Sequence, residues 1–554
     1  MPRVDGDWYD LQDLRVPLAD VAGRRINPDR RLHGYIARRI GVSRNDILGY
    51  EIQRRSLDAR RKPELEFVYR CAVQLRAGAR PSAGAAAWQL DGPPPDSSHR
   101  LWHLPLAADR PRQILVIGTG PSGIMAAYLL AAHACQVLIL DRGQAVDRRA
   151  AAIEAFHRSR QLDPDSNYLF GEGGAGTYSD GKLYTRVKDE RMRFLLEAFV
   201  AARAPRAILW QHHPHIGSDI LPHMARRLRE RIQGWGGRFR WGCTVTDIIE
   251  RDGRCIGVQL ADGERLTADA VVMGVGHSAR DLLQRLARRG IEHRAKGWQL
   301  GCRIEHDQDL IDRAQYGCRP DTPALGAAEY NLVSRPPRGR APHATTFCMC
   351  PGGEIIAATS DPQRLSTNGM SRHARASGLA NAGLIINQPV DRDGDPLAAF
   401  AQLDAIEAAC FQAGGGDYTC PAQPAAAFVR GEDGPLPQRA SYRLGLRAAR
   451  LDRLLPDATR AGLREALRHY ESVIPGFLRH GTLVGVEARV SSPVRFERDP
   501  LTLASSLPGL YLVGEGAGYA GGIVSAGLDG LRTAECLLTG QAPGGRGGGA
   551  DPPP

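Results

Sequence analysis

The sequence lacks an uninterrupted apolar segment long enough to cross a membrane as a helix. The one run of that length, residues 114–140, contains three glycines and a proline between residues 118 and 123. These would break a spanning helix and instead punctuate a strand, a turn, a helix and a second strand. A secretory signal is lacking too, because residues 1–20 carry seven charged side chains and no apolar core. We therefore expect a cytoplasmic protein without a membrane partner.

Disulfide spacing and blocks of like charge are also lacking. The 11 cysteines are odd in number and mostly isolated, which fits a reducing compartment better than a disulfide framework. The net charge of +11 comes mostly from arginines scattered along 554 residues, and such a surface would attract anionic cofactors, acidic metabolites or nucleic acid alike. His212, His213 and His215 have no carboxylate or cysteine at ligand spacing, so we predict a loop of partly exposed histidines and no metal site.

The first 76 residues have the pattern of a small basic α+β domain. Residues 32–40 predict a helix, and residues 47–52 and 65–75 predict strands by their alternation. The connection between these strands carries five basic side chains: Arg54, Arg55, Arg60, Arg61 and Lys62. They indicate either a docking domain with solvated arginines or a site for RNA or an acidic ligand. Residues 77–110 are rich in Ala, Gly, Pro and Ser and predict a linker.

A dinucleotide-binding fingerprint follows the linker. Gly118, Gly120 and Gly123 form the pattern G-x-G-x-x-G after an apolar strand, at the start of an alanine-rich helix. The glycines allow a tight turn and the close approach of a pyrophosphate to the helix N-terminus, whose free N–H groups favour an anion. Asp141 ends the second strand, where its carboxylate would accept hydrogen bonds from ribose hydroxyls.

Two more stretches are dense in glycine. Residues 509–530 predict a buried strand, a carboxylate at Glu515, a glycine turn and a helix that starts near Gly522. By itself such a turn suits tight packing as well as the close approach of a flat ligand. Residues 167–183 form a loop rich in glycine and hydroxyl side chains, which suits wrapping round a long cofactor.

Five motifs occur in a fixed order along the chain: Gly118-Thr-Gly-Pro-Ser-Gly123, Phe170-Gly-Glu-Gly-Gly-Ala-Gly-Thr-Tyr-Ser-Asp-Gly-Lys182, Gly276-His-Ser-Ala-Arg-Asp281, Phe347-Cys-Met-Cys-Pro-Gly-Gly353 and Gly514-Glu-Gly-Ala-Gly-Tyr-Ala-Gly-Gly-Ile523. Their combination resembles a family of bacterial FAD-dependent dehydrogenases, mostly uncharacterised, within the two-dinucleotide-binding-domain (glutathione-reductase-like) flavoprotein superfamily. The resemblance covers nearly the whole chain.

The resemblance implies FAD as the cofactor, with the isoalloxazine against the C-terminal glycine turn. The residues implied to contact FAD are Gly118, Gly120, Pro121, Ser122, Gly123, Asp141, Arg142, Gly174, Gly176, Ser179, Gly276, Gly514, Glu515, Gly521, Gly522 and Ile523. Among them, the backbone N–H groups at the last helix start would stabilise the negative charge that reduction places on the flavin. Asp141 stands where such flavoproteins more often carry Glu, and Glu515 stands where they usually carry Asp.

A partial second fingerprint, at Gly274, Gly276 and Ala279, follows a strand meander instead of opening a new strand-helix-strand unit. We therefore assign it to the FAD-binding domain. NAD(P)H remains an alternative as a transient electron donor.

Five side chains are candidates for catalysis or substrate binding: His277, Cys348, Cys350, Arg489 and Lys182. His277 follows a buried strand and is either a base, a cap for the next helix or a contact to FAD. The two cysteines stand two apart on a predicted strand and would share a face, as a redox pair or, by preference, as packed thiols. By the resemblance, Lys182 and a group near the last strand, namely Glu487, Arg489, Ser491 and Ser492, come near the flavin, where an arginine would clamp a substrate carboxylate.

The sequence therefore predicts an α/β protein with a discontinuous Rossmann-like FAD-binding domain. Its two parts are residues 111–289 and 482–539; residues 290–481 form an inserted α+β substrate domain, residues 1–76 a small N-terminal α+β domain, and residues 540–554 a disordered tail. The predicted function is an FAD-dependent oxidoreductase acting on a small organic substrate. The alternatives are a flavin-dependent RNA-modifying enzyme and a non-enzymatic flavin electron-transfer partner.

Overall fold

The computed structural model describes residues 6–20, 29, 31–92, 99–318, 325–335, 341–390 and 394–541. It is a mixed α/β protein in which three sheets hold most of the strands. The predicted disordered tail falls outside the described residues from position 542 onward.

An antiparallel sheet forms the N-terminal part. Its elements are β1 (Gly6–Pro17), α1 (His33–Ile40), β2 (Ile47–Asp58), β3 (Glu66–Arg76) and β4 (Ala87–Leu90), and the strand order is β2-β3-β1-β4. Alternate side chains of β3, from Phe67 to Leu75, are buried. They share one apolar core with Ile36 and Ile40 of α1, as expected where one sheet face packs on a helix.

Two sequence predictions for this part need correction. The register of β2 shifts between Ile52 and Arg54, and this bulge interrupts the alternation that marks a strand. The strand continues beyond the bulge, so Arg54 and Arg55 lie in β2 and not in the connection.

The predicted linker contains β4, which pairs with β1, so the linker is not structureless throughout. A short helix, α2 (His99–Trp102), follows β4. Residues 93–98, between the two, fall outside the described residues.

The next segment contains most of a parallel sheet. Its elements are β5 (Gln113–Ile117), α3 (Pro121–Ala132), β6 (Gln136–Asp141), α4 (Val146–Ser159), α5 (Met192–Ala201), α6 (Leu221–Gly234), β7 (Arg238–Trp241), β8 (Val245–Arg251), β9 (Arg254–Leu260), β10 (Arg265–Thr267), β11 (Ala270–Met273) and α7 (Arg280–Arg288). β8, β9 and β10 form a small antiparallel sheet of their own. It corresponds to the meander seen in the sequence.

A six-stranded sheet follows. The elements are β12 (His293–Ala295), β13 (Gln299–Asp307), α8 (Gln308–Tyr316), β14 (Ala344–Cys350), β15 (Gly353–Ala357), β16 (Thr367–Ser371), β17 (Leu379–Asn387), α9 (Ala398–Gly414), β18 (Cys420–Pro424), α10 (Ala425–Arg430), β19 (Leu446–Ala448), α11 (Asp457–Val473), α12 (Phe477–His480) and β20 (Thr482–Glu487). The strand order is β14-β17-β13-β20-β18-β19. β17 is buried along eight of its nine residues, because α11 and the β15–β16 hairpin both contact the sheet.

The last elements return to the parallel sheet. β21 (Val494–Phe496) pairs with β12, and β22 (Leu510–Leu512) pairs with β11. The strand order is then β22-β11-β5-β6-β7 with all strands parallel. The last helix, α13 (Ile523–Thr539), packs closely on α3. The contact requires glycine at position 530, because a Cβ there would lie 2.0 Å from the carbonyl oxygen of Ser122. Since the strands are parallel, their carboxyl ends and the turns that follow meet at one edge.

Candidate active site

Some glycines at this edge are required by packing. Gly118 has φ +92°, and a Cβ there would lie 2.4 Å from the carbonyl oxygen of Gly274. A Cβ at Gly123 would lie 2.0 Å from the carbonyl oxygen of Gly118, and one at Gly514 would lie 2.7 Å from the Ser122 hydroxyl oxygen. These glycines close the turns between β5, β11, β22 and α3.

Three other glycines are open on the side of the missing side chain. A Cβ at Gly276 would meet no heavy atom within 4 Å, one at Gly120 would have its nearest neighbours at 4.0 Å, and one at Gly522 would meet the Ser525 hydroxyl at 3.4 Å. Gly120 and Gly522 are the N-caps of α3 and α13. Two helix N-termini therefore present backbone that a ligand can approach closely, and both favour negative charge.

The glycine loop of residues 167–183 bridges these two helix starts. A Cβ at Gly174 would lie 2.9 Å from the Cα of Gly120, and one at Gly176 would lie 3.2 Å from the Ile523 side chain. Ser179 closes the loop internally, since its hydroxyl donates to the Gly176 carbonyl (2.8 Å) and accepts from the Gly181 N–H (3.0 Å). The loop thus lies where a cofactor that reached from α3 to α13 would pass.

A fully buried arginine that the sequence reasoning missed supports this loop. Arg149 of α4 donates from Nε to the Asn167 carbonyl (2.9 Å) and from Nη1 to the Glu172 carbonyl (2.7 Å). Burial lowers its pKa to about 10. No sequence pattern around residue 149 marks it, because its partners are main-chain carbonyls.

Asp141 and Arg142 at the end of β6 make contacts within the protein. The Asp141 carboxylate accepts hydrogen bonds from the N–H and hydroxyl of Thr119 and from the Gly143 N–H. Arg142 pairs with Asp281 at 2.7 Å and lies over the Phe170 ring. The observed role of Asp141 is therefore to hold the turn that contains Gly118.

Glu515 follows β22 and turns toward the preceding segment. Its Oε1 accepts a hydrogen bond from the Ser492 N–H (2.9 Å) and lies 3.5 Å from Lys296 Nζ, and a Cβ at Gly521 would lie 2.5 Å from Oε2. Burial raises the pKa of Glu515, while Lys296 opposes that shift. Glu515 thus ties the glycine turn to residues 492 and 296.

The N–H of Gly514 is held by Asp529 of α13, which sequence reasoning also missed. Its Oδ2 accepts from Gly514 N at 2.8 Å, and both of its oxygens lie 3.1 Å from Arg498 Nη1. This contact fixes the turn after β22 against the last helix.

His277 lies directly after Gly276, four residues past the end of β11. Its Nε2 is buried and, within the described residues, has no hydrogen-bond partner. Burial, with the charges of Arg280 and Arg489, lowers its pKa to about 3. His277 is therefore a neutral imidazole at physiological pH, and the hydroxyls of Ser278 and Ser491 are likewise buried without a partner in the described residues.

Arg489 is engaged inside the protein. It is fully buried, donates to both oxygens of Glu407, and also contacts Ser360 and Asp361. Burial opposes ionisation of Glu407, but Arg489 and Arg280 lower its pKa. The prediction that Arg489 clamps a substrate carboxylate is not supported, because its three nitrogens already donate to carboxylates and a hydroxyl.

Lys182, the last residue of the loop motif, belongs to a four-residue ionic network. Its Nζ lies 3.1 Å from Glu329 Oε2, and Arg375 contacts both Glu329 and Asp180. Burial alone would raise the pKa of Glu329, but Lys182 and Arg375 hold it at about 2. The network joins the glycine loop to the segments around residues 329 and 375.

Arg303 and Glu487 form a fully buried pair on the six-stranded sheet. Arg303 Nη1 donates to Glu487 Oε1 at 2.8 Å, and the guanidinium also contacts Asn381, Asn368 and the Cys348 carbonyl. Burial raises the pKa of Glu487 to about 7, although Arg303 opposes that shift. Arg303 carried no signal in the sequence, since its partner is 184 residues away.

The two cysteines of β14 differ from the sequence prediction. The register shifts between Phe347 and Cys350, and Cys348 has φ +41°, so the strand alternation that would put both side chains on one face is interrupted. Cys348 is exposed and Cys350 is buried, and both are free thiols. Desolvation raises the pKa of the buried Cys350 thiol to about 11.

The basic strand β2 docks on the segment after α5. Arg55 pairs with Asp29 at 2.9 Å, its N–H donates to the Trp210 carbonyl at 2.7 Å, and Arg54 lies 3.1 Å from the His212 ring. These guanidinium groups are thus used in contacts within the protein. His212 and His213 stack on each other, and His215 stacks on His373.

Two searches of the described ranges concern other classes of site. They contain no group of three or more His, Cys, Asp or Glu side chains placed to hold a metal ion. Among their helices, none has both the length and the apolar character needed to cross a membrane.

Three family models match separate parts of the chain. Residues 297–490 match "FAD-dependent protein, C-terminal domain-like", residues 116–170 match "NAD(P)-binding Rossmann-like domain", and residues 11–74 match a domain of unknown function. The first covers the six-stranded sheet from just before β13 to just after β20. The second covers the fingerprint, from β5 into the glycine loop.

Among curated proteins, an uncharacterized protein of Clostridium beijerinckii is 34% identical over 517 residues, which are 91% of this chain and 95% of that protein. A hydroxyneurosporene desaturase of Rubrivivax gelatinosus is 43% identical over 49 residues, 9% of each chain. Among solved structures, a mutant halogenase in complex with FAD is 11% identical, covering 78% of this chain and 70% of that one with a TM-score of 0.39. The L-proline dehydrogenase from P. horikoshii is 12% identical, covering 78% and 94% with a TM-score of 0.33.

The residues at the sheet edge fit an FAD molecule. Gly120 and Gly522 leave two helix starts open, and the Nε2 of His277, which follows Gly276, is buried and unpartnered within the described residues. The cofactor is FAD, as the match over residues 297–490 indicates. With a relative aligned along nearly its whole length, the chain belongs to a family of FAD-dependent, oxidoreductase-like proteins that carry an NAD(P)-binding Rossmann-like domain.

Proposed function

We propose that this protein is an FAD-dependent dehydrogenase or reductase that transfers a hydride between N5 of the flavin and a small organic substrate. The single observation that carries the proposal is the meeting of two open helix N-termini, at Gly120 and Gly522, on one edge of the parallel sheet. A pyrophosphate and a reduced flavin both carry negative charge, and each finds a helix start at this edge. FAD, when bound, supplies the two-electron chemistry.

The chain would hold the cofactor mainly by its backbone. The N-terminus of α3 would bind the pyrophosphate, and the N–H groups of Gly521 and Ile523 would stabilise charge on the isoalloxazine. The Gly522 N–H, predicted as a third donor, already donates to the Ser525 hydroxyl (3.1 Å). The loop around Gly174 and Gly176 would cover the region between them, since it contacts Gly120 and Ile523. We assign residues 111–289 and 482–539 to this domain, in the two-dinucleotide-binding-domain superfamily.

Residues 290–481 would supply the substrate side of the site. Cys348 is exposed and Asn368 is partly exposed, and both contact the buried Arg303 beneath them. Lys182 approaches the same region from the glycine loop: its positive charge acts on the thiols of both Cys348 and Cys350. A substrate between the loop and this sheet would meet polar groups on one side and the flavin on the other.

The neutral imidazole of His277 would contact the cofactor or the substrate as a hydrogen-bonding group. Its lowered pKa of about 3 makes it a poor proton donor at neutral pH, so it would orient a polar atom and not act as the main acid.

The first experiment is to purify the protein and record its absorbance spectrum before and after denaturation. We expect a flavin spectrum and about one released FAD per chain. A colourless protein that binds no added FAD would reject the proposal. Anaerobic addition of NADH or NADPH, followed by a metabolite screen, would then show which donor bleaches the bound flavin. A flavin that no small molecule bleaches would favour the non-enzymatic electron-transfer alternative.

A further inference from the structure

Glu487 is a buried carboxyl group with one oxygen unused. It is the last residue of β20 and is 1% exposed. Its Oε1 accepts a hydrogen bond from Arg303, whereas Oε2 has no hydrogen-bond partner within the described residues. A buried polar atom without a partner is costly, so it is a position where a proton or a ligand would be bound.

The sheet is shaped to accept this carboxyl group. A Cβ at Gly383 of β17 would lie 2.3 Å from Glu487 Oε2, so any larger residue there would displace it. A Cβ at Gly369 would lie 2.4 Å from Arg303 Nη2, so that glycine makes room for the guanidinium. A glycine of β17 and a glycine of the β15–β16 hairpin thus create the space in which the Arg303–Glu487 pair lies.

Arg303 cannot turn away from this pair easily. Its Nε donates to Asn381 Oδ1 at 2.8 Å, and its Nη2 donates to the Cys348 carbonyl at 2.6 Å. The cation is therefore fixed against one oxygen of Glu487, while the other oxygen has no hydrogen-bond partner within the described residues. Such a carboxyl can change its protonation state without losing its position.

Glu487 also lies close to the glycine turn of the cofactor site along the chain. Five residues after it, the Ser492 N–H donates to Glu515, whose Oε2 lies beside Gly521. On the other side, Arg303 contacts Asn368 and Cys348, which border the proposed substrate region. The pair lies one layer beneath the proposed reaction site.

We propose that Glu487 is a buried proton-uptake site coupled to reduction of the cofactor and that its Oε2 binds one proton when the bound cofactor is reduced. This inference rests on the proposed function. In substrate oxidation, a C–H bond breaks and its hydrogen leaves with two electrons to the flavin, while the proton lost from the adjacent O–H or N–H group passes to solvent. Glu487 takes up one proton from solvent to form the new O–H bond on Oε2, so the oxidised product, the reduced cofactor and the protonated carboxyl together balance atoms and electrons.

Other charged or titratable groups surround this carboxyl. They are Arg303 and Cys302 on β13 and Cys348 on β14, with Cys350 and Tyr330 facing Arg303. Desolvation raises the pKa values of Cys302, Cys350 and Tyr330. These three therefore stay protonated in the range tested.

The test is the midpoint potential of the bound FAD as a function of pH, measured by dithionite titration of the wild type and of Glu487→Gln. Below about pH 6 the carboxyl is neutral in both redox states, so the glutamine variant imitates it and the two curves should coincide. Above about pH 7 the wild type gains a proton on reduction, so its potential should fall more steeply, by about 30 mV more per pH unit for a two-electron couple. The wild type should then have the more negative potential.

A matched control is Glu305→Gln, because Glu305 is a buried glutamate of the same sheet whose pKa burial also raises. It lies two residues after Arg303 on β13, but unlike Glu487 it has both oxygens occupied, since each accepts a hydrogen bond from Ser441. Its curve should match that of the wild type. If Glu487→Gln fails to fold, the infrared difference spectrum of the wild type on reduction should show the C=O stretch of a newly protonated carboxyl.

The outcomes separate the two proposals. Failure to bind FAD would reject the proposed function itself. Bound FAD with superimposable potential curves for the wild type and Glu487→Gln would overturn only the role of Glu487. The absence of a new carboxyl band in the wild type would do the same.

Discussion

Replacing Gly120 with alanine should separate cofactor binding from folding. The backbone at Gly120 has φ −62° and ψ 173°, which alanine adopts readily and which suits a residue before proline. The nearest heavy atoms to the new Cβ would be the Gly174 Cα and the Gly274 carbonyl oxygen, both at 4.0 Å, an ordinary contact. The methyl group would therefore occupy open space at the helix start and displace nothing within the protein.

The effect on folding should be small because two contributions oppose each other. Alanine restricts the unfolded chain and stabilises the fold by about 0.4–1 kcal/mol. It is a poorer N-cap than glycine, which costs roughly 0.5 kcal/mol. The net change in stability without cofactor should stay within about 1 kcal/mol.

The effect on FAD binding should be larger. A methyl group at the start of α3 would keep a pyrophosphate from the backbone N–H groups, and each hydrogen bond to a charged group contributes about 1.5–3 kcal/mol. The loss of one such bond corresponds to a tenfold to hundredfold weaker affinity, at about 1.4 kcal/mol per factor of ten.

The assay compares thermal unfolding with and without FAD and measures the affinity by flavin fluorescence. Gly123→Ala is the matched control in the same fingerprint, because its Cβ would lie 2.0 Å from the Gly118 carbonyl oxygen. That variant should lose about 2 kcal/mol or more of stability even without FAD. Gly120→Ala that binds FAD as tightly as the wild type would refute the placement of the pyrophosphate at α3.

Three further variants test the surroundings. Arg55→Met removes a largely buried ion pair with Asp29, which should cost about 3 kcal/mol and speed proteolysis within residues 77–110 while the flavin stays bound; unchanged cleavage would show that docking does not depend on this pair. His277 has a folded pKa near 3 against an ordinary value of 6.5, so its burial opposes folding below pH 6.5, and this penalty falls as the pH rises between those values. His277→Gln should therefore lower the slope of stability with pH in that window by up to about 1.4 kcal/mol per pH unit, measured by urea unfolding, and an unchanged slope would count against a neutral buried imidazole. Cys348 is an exposed free thiol, so it should react with iodoacetamide faster as the pH rises toward the ordinary thiol pKa of about 8.5; rapid, pH-independent labelling that Cys348→Ser abolishes would support the redox-pair interpretation.

The parts of this molecule that the sequence predicted depend on local patterns. Glycines at fixed spacing after an apolar run predict a strand, a turn and a helix whatever surrounds them, and β5 with α3 has that form. The last helix begins at Ile523, one residue from the predicted start. The match of residues 297–490 to an FAD-dependent domain supports the cofactor that the motifs indicated.

The buried ion pairs were not predictable in the same way. Arg303 and Glu487 are 184 residues apart, and Arg375 and Asp180 are 195 apart. Each residue by itself resembles the solvated charges found throughout a basic chain. Only the pairing of strands brings them together, and no periodicity records which strand lies beside which. The position of Arg54 within β2 and the different exposure of Cys348 and Cys350 were not predictable either, because register shifts at Arg54 and Cys348 break the alternation on which strand prediction relies.

The charges near the proposed flavin site are arranged so that most of them are already neutralised. Arg489 and Arg280 face Glu407, and Lys182 and Arg375 face Glu329 and Asp180. Arginine holds the carboxylates of Glu407 and Glu329 ionised, as their lowered pKa values indicate. The charges of these networks therefore change little with pH, and the open helix N-termini remain as fixed positive partial charges.

Glu487 and Glu515 differ, because burial raises the pKa of each despite a nearby cation. A carboxyl that is neutral when protonated, beside a cation that cannot move, shifts the local charge by one unit near neutral pH. The Arg303–Glu487 pair is therefore the place where reduction of the cofactor and uptake of a proton would be coupled most directly.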